Sequence, residues 1–342
     1  MLKKNILFII VLSKKINTFN KLICLLLFNF INLMTFNKKY FFEKDGNIKY
    51  CHNYGLLVYD YHYRLNQSHP YINIGDYIQS LAAFQYLPKN CFPILIERDS
   101  FQFYHGPKIK LIINGWFKII EGNKFTSKEI IPLYLSYHIN NLNDERMIQH
   151  LKNFEPIGCR DTYTYELLIK NGIKSYFSSC LTTTLDINYY KGDNFRTEEI
   201  IFTDFQFRKF PKVNKFLKSL KAYNFTDITY LTHRFRTNIS HLERFRIANN
   251  YLKKYSRAKL VITTRIHAAL PCLSLKTPVI LVNKKYDKRR YGGLYQLLNT
   301  IGINSKNKFE INVNINNRGL VFNSDKYLNY SNKLKKIVFK KF

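Results

Sequence analysis

Acidic side chains are scarce: 23 Asp and Glu stand against 54 Lys and Arg in 342 residues, a formal net charge of +31. Lys, Asn, Ile, Tyr and Phe are all abundant, and all five have A/T-rich codons. Codon bias therefore accounts for much of the charge without a polyanionic partner. Such a surface attracts anionic lipid, polyanions and anionic substrates. Specific nucleic-acid binding also needs a docking element, and the lysines are instead spread along the chain. Paired cysteines are missing too. Cys24, Cys51, Cys91, Cys159, Cys180 and Cys272 are scattered with no C-x-x-C spacing, which predicts neither a zinc site nor a disulfide framework and suits a reducing compartment. No G-x-G-x-x-G, Walker A or metal-ligand spacing occurs, so no cofactor or metal is expected. Internal repeats are absent.

Long apolar runs are lacking as well. "KKNILFIIVL" and "KLICLLLFNFINLM" are each too short for a firm bilayer span. Residues 1–50 read as an apolar, basic extension, either a signal-anchor or a stretch upstream of a start at Met34. A cytoplasmic protein is expected, with weak association to a membrane surface through this segment as the alternative.

What remains is a folding chain: 46% of residues are hydrophobic and 23% charged. "YGLLVYDYH" reads as a strand and leads into "NIGDYIQSLAAFQYLP", where Gly75 suits a tight turn, Asp76 an N-cap, and Pro88 stops the helix. "FPILIE", "KLIING" and "IPLYLSY" are short strands. "EPIGCRDTYTYELLIKNGI" is a strand, a turn at Arg160 and Asp161, and a helix ending at Gly172. "SYFSSCLTTTL" follows as strand and loop. Beyond "DINYYKGDNFRTEE", the strands "EIIFTDF" and "DITYLTH" flank a helical "VNKFLKSLKAY", and "SHLERFRIANNYLKKYSRA" is an amphipathic helix. Strands alternating with helices predict an α/β protein of two Rossmann-like, doubly wound domains facing a cleft. The expected boundaries are 51–186 for the acceptor side, 187–198 for a linker and 199–320 for the donor side, with 321–342 a basic helix or tail.

In open α/β sheets, ligands bind beyond the carboxyl ends of strands. Polar residues at such ends are Asn73, Asp76, Asn114, Trp116, His138, Arg160, Asp161, Thr182, His233, Arg265 and His267. The segment "VITTRIHAALPCLSLKTPVILV" reads strand, turn, short helix, strand. Pro271 lacks an amide hydrogen and is most at ease in a first helical turn, which places the helix start near Ala268 and leaves Arg265 and His267 on the strand lip. There they would face the positive end of a helix dipole, an anion site.

This segment resembles the C-terminal signature of the polysaccharide pyruvyl transferase family, in which Ser/Thr-Arg-x-His-Ala precedes a short helix and a Thr-Pro-Val strand. "NIGDYIQSLAAFQ" is similar to the family's N-terminal Asn-x-Gly-Asp segment, and "PIGCRDTYTYELLIKNGI" to its middle Arg-Asp segment, in the expected order. The resemblance implies a glycosyltransferase-B-like pair of domains, no required metal, and transfer of a pyruvate ketal from phosphoenolpyruvate to two hydroxyls of a glycan or glycan precursor. By that resemblance His267 is the general acid and Arg265 a fork for the donor's carboxylate or phosphate. Arg160 would clamp donor or acceptor, or else pair with Asp161. Asn73 and Gly75 would shape the acceptor loop, unless they form only a tight turn, and Asp76 would be a base on the acceptor hydroxyl, unless it only caps the helix. Asn114 sits at the same strand end as Trp116, which is a sugar-stacking platform or a core plug. His138 and His233 are substrate contacts or core histidines, and "KKYDKRRYGGL" is a phosphate grip or a solvated loop. Two other functions fit the same residues: a nucleotide-sugar-dependent glycosyltransferase and a non-catalytic polyanion binder.

Overall fold

The computed structural model describes residues 49–61, 71–88, 91–117, 125–191, 196–235 and 239–342, all within one compact unit. The apolar N-terminal segment lies outside the described residues. Among the described residues, no helix is long and apolar enough to cross a membrane.

The chain opens with β1 (Lys49–Val58), β2 (Ile72–Asn73), α1 (Ile74–Phe84), β3 (Cys91–Glu97), β4 (Ile109–Phe117) and β5 (Ile130–Ile139). It continues through α2 (Glu145–Lys152), β6 (Ile157–Cys159), α3 (Thr162–Lys170), β7 (Ser175–Phe177), a 3-10 turn (Leu181–Thr184) and α4 (Ile187–Lys191). These strands form a six-stranded sheet in the order β3-β1-β4-β5-β6-β7, parallel throughout, while β2 stays apart. The second half comprises β8 (Ile200–Thr203), α5 (Pro211–Ser219), β9 (Ile228–Leu231), β10 (Arg234–Phe235), α6 (His241–Arg257), β11 (Leu260–Thr263) and α7 (Ile266–Ser274). It ends with β12 (Val279–Asn283), α8 (Lys288–Tyr291), β13 (Asn299–Ile303), β14 (Phe309–Asn312) and α9 (Tyr327–Lys341). The second sheet runs β14-β13-β12-β11-β8-β9, with only β14 antiparallel. Runs such as "LVIT" and "VILVN" are buried along their whole length, as strands covered on both faces must be.

The two halves are stitched together by short pieces. β2 pairs antiparallel with β10, setting Asn73 opposite Arg234. The Ile74 amide donates to the His233 carbonyl at 2.9 Å. α1 and α7 are apolar nearly all round and bury residues on every side, which suits helices wedged between layers. α9 is no free tail. It buries Tyr327, Ser331, Leu334 and Val338, and its Ser331 hydroxyl donates to the Thr183 carbonyl at 2.9 Å. Its far end reaches the first sheet, where Tyr54 meets Phe342 with ring centres 5.4 Å apart.

Three local expectations are corrected. Cys51 and Cys91 are joined by a disulfide 40 residues apart in sequence; β1 and β3 lie side by side, so register brings together two cysteines that show no motif spacing. The N-cap of α1 is Asn73, whose side chain accepts from the Gly75 amide, while Asp76 falls in the first turn. Gly75 is thus helical and makes no turn. α7 starts at Ile266 with Arg265 as N-cap, two residues before the start inferred from Pro271, and the proline sits inside the helix.

Leu334 is fully buried under the strap that α9 forms, so Leu334→Ala should cost about 2–4 kcal/mol by removing buried methyl groups and leaving a cavity. Urea unfolding of the two proteins checks this.

Candidate active site

The site begins with two helix N-termini that meet. A Cβ placed on Gly75 would lie 3.0 Å from the His267 Cβ and 3.1 Å from His233 Nδ1. Glycine is therefore what lets α1 approach α7 so closely. Each N-terminus carries unsatisfied amides and the positive end of a helix dipole, so the meeting point favours negative charge.

His267 lies in the first turn of α7, 8% exposed, with Nε2 buried and bonded to nothing. Its pKa is pushed well below the ordinary value, first by burial and then by Arg160, Arg290, His233 and His138. Every one of those neighbours is a cation or a base. Arg160 is itself 4% exposed at the carboxyl end of β6. Its Nε stands 3.4 Å from Asp161 Oδ2, an ion pair without a hydrogen bond. Asp161 has other work, capping α3 by accepting from the Thr164 amide at 2.8 Å. Pairing with Asp161 therefore leaves most of the Arg160 fork uncommitted.

His138, at the end of β5, presents Nδ1 2.6 Å from Asp161 Oδ2 and 3.0 Å from Thr164 Oγ1. Its pKa falls to about 4, mainly through burial and then Arg160. A neutral ring facing a carboxylate carries its proton on Nδ1. His233 is fully buried, with Nε2 3.0 Å from the Tyr255 hydroxyl and Nδ1 unpartnered; burial lowers its pKa to about 3.

Arg265 stands at the topological switch of the second sheet, where the chain leaves β8 in one direction and β11 in the other. Its Nε donates to Asp204 Oδ2 at 2.5 Å. Asp204 ends β8 in the left-handed region (φ 51°), which Asp tolerates better than most residues. It also accepts from Thr232 Oγ1 at 2.7 Å and the His233 amide at 3.2 Å. Burial alone would raise its pKa, but Arg265 and these donors outweigh that and hold it low. Asp204 thereby aims Arg265 into a cleft of about 620 Å³ whose lining includes Arg290, Lys209, Lys284 and Arg234. His267 is not part of that lining.

The structure brings Asn73, Gly75, His138, Arg160, His233, Arg265 and His267 into one connected region. Asp76 belongs to its supporting wall, accepting from the Tyr61 hydroxyl, from Asn73 Nδ2 at 3.1 Å and from Gln79 Nε2 at 3.2 Å. Asn114 gives its amide to the Gln79 carbonyl at 2.9 Å, behind α1. Trp116 pairs in register with His138 and keeps its indole nitrogen buried without a partner. Neither of these two touches His267 through any hydrogen bond or ring contact. Asp204 went unmarked in the sequence, although its place at the end of "IIFTD" was the available signal. Arg290 read there as more at home in a solvated loop. In the structure Gly292 and Gly293 allow that loop to close on α3: a Cβ on Gly292 would lie 2.5 Å from Thr162 Oγ1, and one on Gly293 2.7 Å from Phe177. The Gly292 carbonyl accepts the Thr162 amide at 3.1 Å, which carries Arg290 toward the Arg160 turn.

Fold and site together define an α/β protein with two largely parallel sheets, a buried histidine where two helix N-termini meet, and a cationic cleft lined by Arg265. The sequence profile described as polysaccharide pyruvyl transferase matches residues 73–286, more than half of the chain, and the chain belongs to that family. No curated protein matches it. Among solved structures it is similar to a functionally uncharacterized protein from Klebsiella pneumoniae, with 16% identity and a TM-score of 0.42, covering 74% of this chain and 94% of that one.

Three buried histidines with depressed pKa values make the fold acid-sensitive. The unfolded chain takes protons below about pH 6.5 that the folded state refuses, so stability falls as pH drops from there toward 4. Each histidine contributes up to about 1.4 kcal/mol per pH unit over that window. Urea titrations from neutral to mildly acid pH should show this slope, and replacing His138 with Gln should reduce it.

Proposed function

We propose that the protein transfers a carboxyethylidene group from phosphoenolpyruvate to two hydroxyls of a glycan. Family membership indicates a pyruvyl transferase acting on polysaccharide. The donor and the residue roles are our reading. One observation supports it above the others: a buried imidazole with an unpartnered nitrogen whose strongest neighbours are two guanidiniums and two more imidazoles. A small anion with several charges balances that pocket.

In this reading the two sheets are a glycosyltransferase-B-like pair of Rossmann-like domains, with the donor held mainly by the second. Arg265 and Arg160 take the donor's carboxylate and phosphate, each planar fork matching two oxygens. Arg290 adds charge, and the N-termini of α1 and α7 add amides and dipole. His267, neutral in the free protein, gains a proton when the anion arrives, because nearby negative charge favours the imidazolium in a water-poor site. It gives that proton to the methylene carbon of the enol, and the adjacent carbon becomes an oxocarbenium. The first glycan hydroxyl adds there and loses its proton. Phosphate then leaves, the second hydroxyl closes the ketal, and its proton departs with phosphate or solvent. The His267 proton is replaced from those released.

His267→Ala should lower ketal formation from phosphoenolpyruvate by about 10²–10⁴-fold, the usual span for a general acid, with circular dichroism unchanged. Full activity would remove His267 from the role. Thermal unfolding of the unaltered protein should rise with phosphoenolpyruvate, by about 2.7 kcal/mol of stabilisation at a hundredfold excess over Kd. A rise with nucleotide sugars alone would replace the donor assignment.

A further inference from the structure

Ketal formation needs a second proton carrier. Each bridged hydroxyl must lose a proton as its oxygen bonds carbon, and His267 enters the reaction already charged. It therefore cannot act as the base as well. His138 lies at the carboxyl end of β5, in register with Trp116 at the end of β4, where open α/β sheets bind ligands. The Arg160 amide donates to the Tyr137 carbonyl at 2.9 Å, which ties the end of β6 beside the histidine. His138 is also one of the groups that hold His267 neutral, so the two imidazoles share one region.

Only one edge of the His138 ring is held. Nδ1 stands 2.6 Å from Asp161 Oδ2 and 3.0 Å from Thr164 Oγ1. A bare lone pair would not sit that close to a carboxylate oxygen, so Nδ1 carries the proton and Nε2 the lone pair. Both partners are fixed at the start of α3. Asp161 accepts from the Thr164 amide at 2.8 Å, and Thr164 Oγ1 accepts from the Ile139 amide at 3.3 Å. Among the described residues Nε2 makes no hydrogen bond, although the residue is only 5% exposed. An imidazole oriented through one nitrogen by a carboxylate, with the other free for the reacting hydroxyl, is the arrangement that activates the nucleophile in serine hydrolases. His267 has different surroundings: its Nε2 is also free, but no carboxylate is among its strongest neighbours.

Resting on the pyruvyl-transfer reading, we infer that His138 is the general base for the acceptor, its Nε2 taking the proton of the attacking hydroxyl while Asp161 and Thr164 hold the ring. The first hydroxyl oxygen bonds the oxocarbenium carbon, and its proton passes to Nε2. The imidazolium gives that proton to phosphate as the bond between carbon and the phosphate oxygen breaks. The second hydroxyl then closes the ketal through the same nitrogen, and its proton restores His267. Two hydroxyl protons are thus released: one leaves with phosphate and one replaces the proton spent on the new methyl group.

The test uses the full chain, phosphoenolpyruvate, and the methyl glycosides of glucose, galactose and mannose as acceptors. It compares the unaltered protein with His138→Asn, in which an amide N–H can take the place of Nδ1 while Nε2 is deleted. Donor affinity by calorimetry and acceptor KM should stay within about threefold, while kcat falls by about 10²–10⁴-fold, the span of a general base. Added imidazole or formate should restore kcat in the variant in proportion to its concentration, which the loss of a merely structural contact would not allow. An unchanged kcat, or a loss that neither added base relieves, overturns the base and leaves pyruvyl transfer standing. No ketal from the unaltered protein with any of these glycosides sinks pyruvyl transfer and the base together.

Discussion

Guanidinium charge set beside buried imidazoles, with the nearby carboxylates already committed, is the constraint around which this structure is organised. Burial of an ionisable group normally brings a partner or neutralises the group. At the junction of α1 and α7 the protein takes the second course for its histidines and keeps two guanidiniums beside them. Burial holds all three imidazoles toward the neutral form, reinforced by Arg160 and Arg290 at His267, by Arg160 at His138 and by Arg265 at His233. Nearby carboxylates are already committed: Asp161 to the α3 cap and His138, Asp204 to Arg265 and the β9–β10 turn. The surplus is therefore local and built by placement, quite apart from the chain's overall basicity.

The fold exists to hold that placement. Glycines do the fine work, at Gly75 where two helix ends meet and at Gly292 and Gly293 where the Arg290 loop closes on α3. Larger connections set the coarse geometry. The β2–β10 pair, the buried α1 and the returning α9 each tie one sheet to the other half of the molecule. A shift of either sheet would separate Arg160, which follows β6, from His267, which follows β11.

Much of this was legible in the sequence, and the failures have physical causes. Alternating apolar runs and helical periods disclosed the α/β pattern, since burial on both faces forces continuous hydrophobic strands. Arg160, Arg265 and His267 stood out because strand ends are where such sheets bind ligands. Helix starts were read less well. Asn73 and Asp76 are both good caps, and only backbone conformation decides between them; Pro271 was assumed to need the first turn, yet tertiary packing holds it inside α7. The Cys51–Cys91 link and the docking of α9 depend on strand register and long-range contact, which leave no local spacing to read. Asp204 carries no local mark, because its role appears only when β8 and β11 lie side by side.

Proton uptake on donor binding tests the central claim most directly. Calorimetry of phosphoenolpyruvate binding in two buffers of different ionisation enthalpy counts the protons taken up, and the same count for His267→Gln subtracts those exchanged by the donor and by other groups. The account predicts that the unaltered protein takes up more protons than the variant, with the difference growing toward one as pH falls from about 8 to about 6. Equal counts in the two proteins across that range would contradict it.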